Sequence, residues 1–234
     1  MTKVGLLECD HVREELLPIA GDYREMFPAL FSQVAPDWAF TFYDVCNGHF
    51  PASADECEVY VCTGSKSSVY DDEPWIHRLK EFVKEIHDSG RKYLGICFGH
   101  QMLAEALGGK VQKSTVGWCV GVHNFQVLSQ EEWMLPSRQS FSLLMMCQDQ
   151  VMELPPDSTL LAETQDCPVG MFRVGEHMVG IQAHPEFTKP YEKALMEIRT
   201  ERIGQAKVEM GIVSLELPVH ELTFANWLKN FAAL

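Results

Sequence analysis

The chain has 234 residues, 33 of them Asp or Glu and 19 Lys or Arg, for a formal net charge of −14. That balance lacks the electrostatic footprint of a nucleic-acid or anionic-membrane binder, and the length suits one α/β domain spanning 1–234. Eight cysteines without a C-x-x-C pair and nine histidines without H-x-x-x-H or H-E-x-x-H spacing point to free thiols in a reducing, cytoplasmic setting, with no metal centre and no cofactor.

The chain enters a first strand at Val4–Leu7, with no leader-like segment and no apolar run near the ~20 residues of a membrane span. Strand signals follow at Phe40–Tyr43, Val59–Thr63 and Tyr93–Ile96, spaced widely enough for crossover helices between parallel neighbours. One such helix opens at Asp72-Glu73-Pro74, and Trp75, Ile76, Leu79, Phe82, Val83 and Ile86 repeat at helical spacing until Gly90. Its apolar stripe is core. Met102–Leu107 consists of strong helix formers and stops at Gly108-Gly109. Beyond it the period shortens to strands at Val120–Val122, Phe125–Val127, Leu143–Met146, Met171–Val174 and Val179–Ile181, the last two joined by a hairpin turn. Helices at Pro190–Arg202 and Leu222–Phe231 close the domain, and Gly204–Pro218 reads as a loop or mobile segment.

The chemistry concentrates in Gly95-Ile96-Cys97-Phe98-Gly99-His100-Gln101, where an apolar strand ends and a helix begins. Turning from strand to helix at one residue pushes its side chain outward, and glycines two positions either side remove Cβ atoms that would clash. Cys97 is thereby presented at a helix N-terminus, where unpaired N–H groups favour a thiolate. A candidate base lies in Gly180-Ile181-Gln182-Ala183-His184-Pro185-Glu186. Proline holds His184 extended, so Glu186, two residues on, faces the same side and can orient the imidazole. The expected set is a Cys97–His184–Glu186 triad. No G-x-x-x-x-G-K-[ST] phosphate loop accompanies it, so nothing suggests ATP-dependent activation of an acceptor.

In the order Thr63-Gly64-Ser65-Lys66-Ser67-Ser68-Val69, the cysteine elbow, then His-Pro-Glu, the chain resembles class I glutamine amidotransferase domains. It is most similar to stand-alone members related to the glutaminase half of GMP synthase and to plant γ-glutamyl peptidases. The resemblance implies a flavodoxin-like three-layer α/β sandwich with a mainly parallel central sheet and an antiparallel extension, with the site at the carboxyl ends of the strands. It places an oxyanion hole on the Phe98 N–H and the Gly64-Ser65 loop, and a substrate contact on Gln101. Met146-Cys147-Gln148-Asp149 corresponds to a Ser-His-Gly-Asp segment of GMP-synthase-type glutaminases, so Asp149 is kept while Cys147 and Gln148 depart. Gly117-Trp118 falls where relatives carry a substrate-binding loop.

What the resemblance implies for function is hydrolysis of the γ-amide of glutamine or of a γ-glutamyl compound through a cysteine thioester. Three readings stand side by side: a glutaminase feeding ammonia to a separate synthase subunit, an autonomous γ-glutamyl hydrolase, and a non-catalytic regulatory module on the same fold. The expected ligand is a small γ-glutamyl substrate, with no nucleic-acid or membrane partner.

Overall fold

A computed structural model describes all residues, 1–234. In chain order it contains β1 (Thr2–Leu7), α1 (Leu17–Ala20), α2 (Tyr23–Ser32), β2 (Trp38–Tyr43), β3 (Val59–Cys62), α3 (Pro74–Ser89), β4 (Lys92–Ile96) and α4 (Phe98–Ala106). There follow β5 (Lys110–Lys113), β6 (Cys119–Val127), β7 (Ser140–Cys147), β8 (Asp149–Glu153), β9 (Ser158–Thr164), β10 (Cys167–Val174) and β11 (Met178–Ile181). Helices α5 (Lys189–Ile198), α6 (Thr200–Ile203), α7 (Gln205–Ser214) and α8 (Glu221–Ala232) complete the chain.

The main sheet runs β2-β1-β3-β4-β11-β10-β9-β6-β7. Strands β2 through β11 in that order pair in parallel, and the four that follow are antiparallel additions. This is the flavodoxin-like arrangement with its antiparallel extension. The inner parallel strands β3, β4 and β11 are buried on both faces and alternate sides, as strand geometry requires, whereas the edge strand β2 is only half-buried. Val59, Val61, Leu94 and Ile96 join a core shared with α2, α5 and α8, whereas Tyr60, Cys62 and Tyr93 join the opposite core, under α3 and α4. Three layers result.

The extension curls. Its edge strand β7 returns to the chain just past β11, where His184 N–H donates to Leu144 O at 2.8 Å and the two residues form an isolated antiparallel bridge. Residues 110–113 and 149–153, which carried no strand signal, form a separate two-stranded ribbon β5-β8.

Several elements differ from expectation. The 204–218 segment is not a loop: it holds α7, which packs on β6 and whose Ser214 hydroxyl accepts from Val122 N–H at 2.9 Å. The Pro190–Arg202 helix is two, broken at Arg199, which ends α5 and precedes α6. Val120–Val122 and Phe125–Val127 are one continuous strand. Helix α2 had no counterpart in the sequence reading, although Asp22 and Glu25 form a reciprocal capping box at its start. Its Tyr23, Met26, Phe27, Leu30 and Phe31 are buried at i, i+3, i+4, i+7 and i+8, and Pro28 sits within it. No helix is long and apolar enough to cross a membrane.

Candidate functional site

Strand β4 delivers Cys97 and the neighbouring parallel strand β11 delivers His184, with Ile96 and Ile181 in register and Cys97 N–H donating to Ile181 O at 2.8 Å. Cys97 has φ 51° and ψ −99°, one of two non-glycine residues with positive φ. Holding a β-carbon there costs on the order of 1–3 kcal/mol, which the surrounding packing must offset. The flanking glycines make the turn feasible: a Cβ on Gly95 would lie 2.5 Å from Gly99 O, and one on Gly99 2.3 Å from Cys62 O. Tyr93 Oη clamps the same turn by donating to Gly99 O at 2.9 Å.

His184 Nδ1 and Glu186 Oε1 are 2.7 Å apart, and both side chains are almost fully buried. Burial alone would lower the imidazole pKa, but the charges of Glu186 and Cys97 outweigh it and carry His184 from 6.5 up to about 10. Phe187 stacks on the other face of the ring, centroids 3.9 Å apart and planes 5° from parallel. Gly64 completes the cradle. A Cβ at that position would meet His184 Cε1 at 2.8 Å.

The 63–65 loop is fixed by Thr63, whose N–H donates to Leu7 O at 3.1 Å and whose hydroxyl bonds Gly64 O at 3.1 Å. The N–H groups of Gly64 and Ser65 meet no protein acceptor. Phe98 opens α4 and so has no partner for its N–H in its own helix. Three donors of the expected oxyanion hole are thus uncommitted around the elbow.

Two cavities meet at Cys97. The first, of about 100 Å³, is lined by Ser65, Gln101, Trp118, Cys147, Gln148 and Asp149 among others. The second, of about 220 Å³, contains His184, Tyr23, Phe187 and Tyr191. Ser65, Lys66, Met146, Arg199 and Arg202 border both. Of the residues expected around the substrate, only Gly117 lines neither cavity. Its neighbour Trp118 does, its carbonyl held by Lys207 Nζ at 2.8 Å. Gln101 is less available than the sequence suggests, because its amide NH₂ donates to Asp149 O at 2.8 Å and to Gln182 Oε1 at 3.1 Å. Only its carbonyl oxygen remains for a ligand. Asp149 in turn accepts from the Ser68 hydroxyl.

Residues without a sequence signature also reach the site. Gln182 Nε2 lies 3.5 Å from Cys97 Sγ and links it to Gln101. Beside the second cavity, His11, Asp44 and Cys46 lie close enough to share a metal ion, but their polar atoms already bond one another.

Residues 64–199 match the family model described as glutamine amidotransferase class-I. The chain belongs to the class-I glutamine amidotransferase family. It is 32% identical over 177 residues to γ-glutamyl peptidase 3 of Arabidopsis thaliana, covering 72% of this chain and 70% of that one. It is 34% identical to a glutamine-hydrolyzing GMP synthase of Herminiimonas arsenicoxydans, over 68% of this chain but 29% of the synthase. A glutamine amidotransferase from Thermotoga maritima shares the fold at a TM-score of 0.77 and 21% identity, covering 99% of this chain and 96% of the other. A class-I amidotransferase fold with its cysteine at a strained elbow is the scaffold of a cysteine-dependent amidase.

Proposed function

We propose that the chain, as one unit of residues 1–234, is an autonomous γ-glutamyl hydrolase that cleaves γ-glutamyl peptides or amines, working in the cytoplasm where its eight thiols stay free. Cys97 is the nucleophile, His184 the base and then the acid, and Glu186 the group that orients and charges the imidazole. The thiol first passes its proton to His184, the sulfur then bonds to the γ-carbonyl carbon, and the oxyanion is received by N–H groups of Phe98 and of the Gly64-Ser65 loop. His184 returns the proton to the amide nitrogen, the amine departs and a γ-glutamyl thioester remains. Water then releases glutamate and restores the thiol. Gln101, Cys147, Gln148, Asp149 and Trp118 line the side that receives the γ-glutamyl group, with Gly117 supporting Trp118.

The observation that carries the choice of substrate is the second cavity. The leaving nitrogen must face His184, and the space on that side is about 220 Å³, against roughly 30 Å³ for one water molecule. Ammonia needs no such room. The Arabidopsis γ-glutamyl peptidases support the same reading. The competing reading, a glutaminase serving a separate synthase subunit, draws on the likeness to GMP synthase.

Release of glutamate from glutamine and from a panel of γ-glutamyl dipeptides and amines, without any added protein, separates the two. The expected result is weak activity on glutamine and a higher kcat/KM on at least one larger γ-glutamyl compound. Glutamine being the best substrate, or activity appearing only with a synthase present, would overturn the proposal.

A further inference from the structure

Arg199 occupies the break between α5 and α6 and borders both cavities at Cys97. Its Nε is buried without a hydrogen-bond partner, and no carboxylate pairs with its guanidinium. The other cations of the second cavity are mostly committed. Lys66 pairs with Asp10 at 2.7 Å, Arg13 with Glu15 at 3.5 Å, and Arg202 lies over the Trp118 ring at 5.6 Å. Glu192 feels the charge of Arg199, yet it spends one oxygen on Gly121 N at 3.1 Å and leaves the other unbonded. In a chain of net charge −14, a cation kept half-buried and unpaired beside a nucleophile is costly unless a ligand anion completes it.

The walls around it say which anion fits. Val12, Leu16, Phe187 and Leu195 form an apolar patch in the second cavity, whose lining is otherwise mostly polar and charged, and His184 marks the side from which an amine departs. We infer that this cavity is a leaving-group subsite for an α-amino acid with an apolar side chain, and that Arg199 pairs with the free carboxylate of that amino acid. A guanidinium suits this task because its planar fork can hold a carboxylate through two parallel N–H bonds. Arg202 adds positive charge from the rim. The carboxylate of the departing residue sits one carbon from the nitrogen that His184 protonates, so one contact fixes both the anion and the scissile bond. The inference rests on the γ-glutamyl hydrolase reading above.

The test compares γ-glutamyl-leucine with γ-glutamyl-leucinamide, which differ only in that carboxylate. Wild type is expected to prefer the acid by about tenfold or more in kcat/KM, which is about 1.4 kcal/mol. Arg199→Met should narrow the preference to under about twofold, and Arg199→Lys should keep an intermediate preference. Equal kcat/KM on the two substrates in wild type would overturn the inference while leaving the hydrolase reading intact, and needs no variant. A preference that persists in Arg199→Met, with both substrates slowed alike, would also overturn it, because the arginine would then serve the γ-glutamyl half. If wild type cleaved neither compound but cleaved γ-glutamyl-methylamine, this subsite would be wrong. Failure on every γ-glutamyl amide would instead bring down the underlying function.

Discussion

Replacing Glu186 by glutamine keeps the shape of the side chain and removes its charge from a buried contact 2.7 Å long. The rise of His184 from 6.5 to about 10 corresponds to roughly 5 kcal/mol in favour of the imidazolium, at about 1.36 kcal/mol per pKa unit. Burial opposes that rise, so the attraction by Glu186 and Cys97 together exceeds it. Glu186 is the larger of the two attractions, and loss of the charged partner that stabilises a catalytic imidazolium lowers kcat by about 100- to 10,000-fold. The assay is glutamate release from the best γ-glutamyl substrate, with circular dichroism to verify folding. A second readout is stability. A histidine whose folded pKa lies above its unfolded value stabilises the fold fully below about pH 6.5 and loses that contribution as pH rises toward about 10. The stability advantage of wild type over Glu186→Gln should therefore shrink across that window. A kcat within about threefold of wild type, together with a stability difference flat from pH 6.5 to 10, would refute this account of the ion pair.

Cys97 should be the thiol alkylated first by brief iodoacetamide treatment at neutral pH, because it faces both cavities. Cys46 is the most exposed competitor, but burial and the neighbouring Asp44 push its pKa up to about 12 and keep it protonated. Peptide mass spectrometry identifies the modified site, and labelling elsewhere with Cys97 spared would contradict the assignment. Cys97→Ala should abolish turnover on every γ-glutamyl amide that wild type cleaves, and wild-type rates in that variant would rule the nucleophile out. Gly64→Ala should fold but lose at least about 100-fold in kcat, since its methyl group meets the imidazole at 2.8 Å and a displaced base of this kind is worth on the order of 10²–10⁴. Unchanged kcat would mean that the ring does not occupy the position described.

The elbow and the parallel half of the sheet could be read from residues because their physics is local. Gly95 and Gly99 bracket a single strained turn, and Trp75 to Ile86 repeat at the period of a helix that buries one face. Other parts depend on what meets what in space. Helix α7 buries Val208 and Gly211 while exposing Met210 and Val213, so its apolar residues do not form one stripe and the 204–218 segment resembles a loop. Helix α2 shows a regular stripe, but Pro28 interrupts the pattern of good helix formers. The roles of Gln182 and Arg199 had no sequence signature at all. A buried amide bridging Gln101 to Cys97, and a guanidinium without a carboxylate, are properties of tertiary neighbours. Gln101 shows the converse: its motif position was legible, whereas the engagement of its NH₂ by Asp149 and Gln182 was not.

The curled extension has a consequence for how this scaffold diversifies. Cys97 and His184 are set by adjacent parallel strands, whereas Met146 and Cys147 come from an edge strand whose bridge to the base is the Leu144–His184 contact. The catalytic pair and the 140–153 segment are thus joined at several places: the Leu144–His184 bridge, and the bonds from Gln101 and Ser68 to Asp149. Grafting 140–153 from a relative should alter the fit of the γ-glutamyl half while leaving Cys97 and His184 in place, provided that the Leu144 bridge and the two bonds to Asp149 are reproduced.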